Sequence, residues 1–218
     1  MRALTGVAAS DQSAPRGGVV GCESVQQIIN IAATAEALAV TALGGALQSA
    51  AAGRLALNAE QQQFVRAARA EEEQHFRVLM AAGARPLTTT FTLPDTRIVT
   101  DAPTFLRTVI GLEEAFIAAY LAAAQEFAAL GQPHLVQAAM QIGGVEAEHR
   151  ALARFYAIDA GVLGGVPNDV AFEQAMFTNV GEAATALQRL GWIGGRGQTI
   201  TYPGPGPIDT RGVGQLRP

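Results

Sequence analysis

Residues 70–76 read Ala-Glu-Glu-Glu-Gln-His-Phe, and residues 144–152 read Gly-Val-Glu-Ala-Glu-His-Arg-Ala-Leu. Each stretch holds Glu-x-x-His: Glu72 with His75, and Glu146 with His149. On a helix, a three-residue spacing puts both side chains on one face, pointing the same way. Apolar positions extend that face in both cases. Val65, Ala68, Glu72, His75 and Leu79 form one stripe, and Leu135, Ala139, Ile142, Glu146, His149, Ala153 and Tyr156 form the other. Glu71 also stands four residues before His75, and symmetry with the second stretch selects Glu72. Two further apolar runs each place one glutamate on an inward seam. They are Glu36 in NIAATAEALAV (30–40) and Glu113 in LEEAFIAAYLAAA (112–124). The seam of the latter run is Leu106, Ile110, Glu113, Ile117, Tyr120, Ala124 and Phe127. Glu114 falls on the opposite side with Arg107 and Gln125.

Punctuation around these four runs sets their limits. Ser24 with Gln27 is a capping box that opens a helix ending near Gly53, and Asn58 with Gln61 opens a second ending at Gly83. Asp101, with Pro103 in the first turn, starts a third that closes at Gly131. Pro133 starts a fourth, stopped by Gly161. Each helix has roughly 25–30 residues and is about 40 Å long. The first and third connections are short and predict antiparallel neighbours. The middle one, residues 84–100 (ARPLTTTFTLPDTRIVT), is threonine-rich with two prolines and reads as extended. Its reach of about 55 Å is enough to run the length of a bundle. The expected fold is all-α: a four-helix bundle over 24–161 with one long crossover between helices two and three. Residues 1–23 read as an N-terminal arm. Residues 162–218 read as an extension with a short helix from Asn179 to about Leu190, then a Gly/Pro-rich tail that cannot be helical.

Counted from the helix starts, Glu36 is 12 residues in, Glu72 14, Glu113 12 and Glu146 13. All four therefore meet in one layer whichever way each helix runs. Four carboxylates and two imidazoles at one level of a core cannot all stay charged without a counter-ion. Burying an unpaired carboxylate costs several kcal/mol, so a bound cation is the natural compensation. Carboxylate and imidazole donors suit Fe or Mn, with zinc as a substitute. Composition closes other routes. The 218 residues are 49% hydrophobic, and all 15 basic residues are arginine, which removes Schiff-base lysines and the P-loop lysine. Cys22 is the lone cysteine, so disulfide frameworks and Cys-rich metal sites are excluded. A net charge of −4 with no basic stripe argues against nucleic acid. No membrane span is expected, because Glu, Gln, Asn or Arg interrupts each apolar run. Asp11 and Arg16 break the apolar stretch before Cys22 that an export signal requires. That favours a cytoplasmic protein, or an exported one if the chain is a trimmed form.

The quoted stretches resemble the ferritin-like di-metal carboxylate superfamily, in its bacterial branch related to desiccation-related proteins, over about residues 24–160. The resemblance implies two Fe or Mn ions. Glu72 and Glu146 would bridge them, Glu36 and Glu113 would be terminal ligands, and His75 and His149 would bind one metal each. It also implies an oxidoreductase acting on Fe(II) and O2 or on H2O2 in stress protection. The rival reading is a structural, self-assembling stress-protective protein whose metals only staple the bundle. Either form is expected to be a homo-oligomer held by its N- and C-terminal extensions. Tyr120 and Tyr156 lie on the seams two turns beyond a ligand, either as ordinary core residues or beside the metals. Tyr120 is the candidate for a catalytic role there. Gly111, Gly143 and Gly144 just before ligands either make room or allow close packing, His134 reads as solvated, and the other glutamates as mostly helix surface.

Overall fold

Ser24 and Asn58 each accept the backbone N–H of the residue three further on, and Gln27 and Gln61 return the bond to the cap backbone. Those two capping boxes open α1 (Val25–Ala51) and α2 (Ala59–Ala81). Asp101 caps α3 (Ala102–Ala129) through its side chain, while α4 (Pro133–Asp159) starts on its proline without a side-chain cap. Each long helix is followed by a glycine with left-handed φ: Gly53 at 69°, Gly83 at 91°, Gly131 and Gly161 at 68°. A side chain there would be strained, and glycine takes the conformation freely. This computed structural model describes residues 22–207, 209–211 and 213–216. Residues 1–21, most of the expected N-terminal arm, lie outside the described residues.

α1 pairs with α2 and α3 with α4, the two close pairs that short connections require. α2 and α4 meet much less closely. The core falls into two apolar clusters, one at each end of the bundle. One is built around Ile28, Phe76, Phe116 and Phe127, the other around Leu43, Phe64, Leu106 and Ala153. The layer carrying Glu72, Glu113 and Glu146 lies between them along α2, α3 and α4.

The crossover departs from the sequence expectation. It is not merely extended: Thr90–Leu93 is a strand, β1, and Thr96–Val99 is a 3₁₀ turn. The partner of β1 is β2 (Gln198–Thr201), in the tail read from sequence as irregular. The strands pair antiparallel, Phe91 opposite Ile200, across more than a hundred residues of chain. The short helix α5 (Val180–Arg189) begins on an Asn179 cap, as expected. The irregular stretch between α4 and α5 is fastened to α4 by Arg150 on Glu173 (2.8 Å) and Arg154 on Asp169 (2.6 Å).

The apolar run of α1 is interrupted by Asn30, Glu36 and Gln48, as read from the sequence. On length and composition it is apolar enough to cross a membrane, with an 18-residue window of mean hydropathy 1.5. Within the bundle 72% of that window is buried, which accounts for its character.

Candidate metal centre

The i, i+3 spacing in α2 and α4 directs both Glu-x-x-His pairs into the bundle, where they meet Glu36 of α1 and Glu113 of α3. Glu72 and Glu146 have no exposed surface, Glu36 keeps 1%, Glu113 3% and His149 2%. Nδ1 of His75 lies 3.4 Å from Glu72 Oε2, 3.4 Å from Glu146 Oε1 and 3.5 Å from Glu36 Oε2. Nδ1 of His149 lies 3.2 Å from Glu72 Oε1, 3.4 Å from Glu146 Oε2 and 3.7 Å from Glu113 Oε1. Glu72 and Glu146 thus turn one oxygen towards each histidine. Two four-residue groups result, Glu36–Glu72–His75–Glu146 and Glu72–Glu113–Glu146–His149, with donor atoms within 4.8 Å of one another in each.

These atoms converge without hydrogen-bonding one another. Both oxygens of Glu72 and Glu146, one each of Glu36 and Glu113, and both Nδ1 atoms are buried with no hydrogen-bond partner. Leaving one buried polar atom unpaired costs about 1–3 kcal/mol, and eight around one point are untenable without something between them. Donor atoms bonded to a metal at about 2.1 Å stand roughly 3.0–3.4 Å apart when adjacent, close to the spacings seen. The residues present fit two cations.

Burial, reinforced by the charge on Glu72, pushes the Glu36 carboxyl up to about 8. Burial together with the charges on Glu146 and Glu72 pushes Glu113 well above the usual carboxylate range. Burial opposes ionisation of Glu72 and Glu146 too, but the Glu36 carboxyl and then the two imidazoles hold Glu72 below that range, and the imidazoles hold Glu146 there. Burial likewise works against a charged ring at His75 and His149, yet the carboxylates around them keep their protons well above the ordinary histidine value. Without metal, the protons held on Glu36, Glu113, His75 and His149 offset part of the carboxylate charge.

Three neighbours complete the centre. The Tyr120 hydroxyl donates to Glu36 Oε1. Tyr156, the other seam tyrosine, packs on Phe64 with ring centroids 5.6 Å apart and serves as core. Gly143 lies against Tyr120, where an added Cβ would come within 3.2 Å of the tyrosine Cβ. Close packing is therefore its role, while Gly111 and Gly144 face open space. His134 is exposed, as expected. Glu71, set aside in favour of Glu72, holds the far nitrogen of His149, Nε2, at 2.8 Å. That contact keeps its carboxyl below the usual range. Carboxylate–histidine pairs of this kind fix the ring and raise its basicity towards a metal on the other nitrogen. The four-residue step from Glu71 to His75 drew attention to the wrong histidine, since the partner of Glu71 comes from α4.

A family model for the ferritin-like domain matches residues 24–158, from the first helix cap to the end of α4. The chain belongs to the ferritin-like domain family. No curated protein and no solved structure gives a significant match. The ferritin-like fold and the buried carboxylate–histidine cluster agree on a site suited to two metal ions.

Proposed function

We propose that this ferritin-like protein is a di-iron or di-manganese oxidoreductase acting on Fe(II) with O2, or on H2O2, in stress protection. The observation that carries this reading is the layer of eight unpartnered donor atoms with a phenol hydrogen-bonded at its edge. Bound Fe or Mn ions supply one-electron redox steps and Lewis acidity. The chain's own residues do the rest. Glu72 and Glu146, each facing both histidines, suit a bridging role, and Glu36 and Glu113 suit terminal ones. His75 and His149 each serve one metal, and Glu71 fixes the ring of His149. Tyr120 orients Glu36 and keeps its own proton, because burial and the nearby carboxylates raise its phenol well above the usual value. It acts as a positioning residue. Exposed Met140, Leu152, Phe155 and Phe172 support a homo-oligomer.

Protein purified from a host supplied with iron and manganese is expected to carry about two such ions per chain. Glu72→Ala and His149→Ala are expected to lose them, with Fe(II) oxidation or peroxide consumption falling to background. Metal content near zero in the parent protein refutes the di-metal reading. Bound metal with rates no higher than in the variants leaves only the structural role.

A further inference from the structure

The loose meeting of α2 and α4 leaves a cavity of about 430 Å³ on the bundle side that carries His75. Its floor is His75 and Glu71, and its walls come from both helices. Residues 213–216 of the C-terminal segment form the roof. That volume lies in the range of about 300–1,000 Å³ found for small-molecule sites. The two histidines differ here. His149 has its far nitrogen locked by Glu71, whereas among the described residues nothing pairs with Nε2 of His75, the atom on the ring's opposite side from the cluster. Nε2 is thus the ring atom left to meet a polar group of a molecule in the cavity.

The lining narrows the chemistry. Glu71 and Glu148 are acidic, and Gln74, Gln141 and Gln215 offer neutral amides. No arginine lines the cavity, and the two carboxylates leave its lining net acidic even with the His75 ring charged, which disfavours a carboxylate or phosphate. Val78, Ile142, Val145 and Leu216 make much of the remaining wall apolar. A passage for metal ions alone requires neither that apolar wall nor that volume.

We propose that the cavity binds a small uncharged or cationic organic molecule, with a polar group against Nε2 of His75 and an apolar face against Ile142, Val145 and Leu216. A molecule seated there sits one imidazole away from the centre. The inference rests on the di-metal reading only for that proximity; the binding site itself does not require it.

Isosteric probes test it: benzamide, benzamidinium and benzoate, titrated into the full-length protein by calorimetry and ligand-observed NMR, with metal content measured on the same samples. Benzamide and benzamidinium are expected to bind with dissociation constants of about 1 mM or lower, and benzoate at least ~10-fold more weakly. Ala138→Phe, which fills the cavity from α4, is expected to weaken both binders at least ~10-fold with metal content and melting temperature unchanged. Glu148→Gln, a surface change that spares the fold, is expected to narrow the preference for benzamidinium over benzoate by at least ~3-fold. Binding of none of the probes, equal binding of benzoate, or an Ala138→Phe protein that is folded and binds normally each overturns the proposal. Two metals per chain without probe binding sinks the cavity alone, and probe binding without metal sinks the di-metal reading alone.

Discussion

Protons and metal ions compete for the same atoms at this centre. Glu36, Glu113, His75 and His149 all hold their protons to higher pH than usual in the folded, metal-free chain. Metal ligation requires them to be lost, so binding Fe(II) or Mn(II) is expected to release protons and to tighten from pH 6 to 8. Calorimetry in two buffers of different ionisation enthalpy checks this, and affinity independent of pH in that window contradicts it. The same shifts set a stability trend of definite sign. A group whose value is raised on folding gives stability at low pH that is lost as pH climbs through the folded value, near 8 for Glu36. Glu72 and Glu146 contribute in the opposite sense, but their contribution is lost only below about 4.5. The melting temperature of metal-free protein is therefore expected to fall between pH 6 and 8.5, whereas metal-loaded protein holds or gains. Glu71 acts through His149 rather than as a ligand. Glu71→Gln is expected to weaken metal binding about 10–100-fold while the fold persists, and titration with Mn(II) measures it.

At the scale of the elements, glycines in the helices sort by what surrounds them. Gly111 lies inside α3 on an exposed face with nothing within 4 Å of an added Cβ, so Gly111→Ala is expected to stabilise by up to about 1 kcal/mol. Gly143 in α4 meets Tyr120, and Gly143→Leu would push α4 away from α3. A loss of about 1–3 kcal/mol is expected, read as opposite shifts of the thermal midpoint in the two variants. The helices themselves were legible in sequence because their signals are local. Ser24, Asn58 and Asp101 cap where expected, and the ligand layer follows from adding 3.6-residue turns to those starts. β1 and β2 were not legible, since each is four residues long and its only partner lies across the whole bundle. Nor was Glu71, whose partner belongs to another helix. Glu73 and Glu126 belong to the glutamates that the sequence reads as mostly helix surface, yet both are buried. A polar residue on a helix flank gives no sign that a distant segment will cover it.

Those two glutamates decide how the whole molecule is closed. Glu126 accepts the backbone N–H of Val180 at 2.9 Å and of Glu23 at 2.8 Å, joining the start of α5 to the chain ahead of α1. Glu73 receives the Tyr202 hydroxyl on both oxygens, at 3.0 and 2.9 Å, while Arg77 contacts the same carboxylate and the Gly206 carbonyl. Phe76 packs against the Tyr202 ring in a tilted arrangement, with centroids 4.8 Å apart. Asp209 then reaches Arg66 at 3.6 Å. The tail is thus docked on its own bundle, and it continues to the roof over His75. Tyr202 is the residue on which this strap depends most, because its ring and its hydroxyl are both buried against α2. Tyr202→Ala removes both and leaves Glu73 without its phenol donor, so a loss of about 3–5 kcal/mol is expected. Tyr202→Phe keeps the ring and is expected to lose only about 1–2 kcal/mol. The bundle has its own capped helices and two apolar clusters, so Tyr202→Ala is expected to release the tail before it unfolds the helices. Limited proteolysis should then cut after residue 190 while leaving residues 24–160 intact. A variant cleaved no faster than the parent, or cleaved equally throughout, would show that the strap is not held at this point.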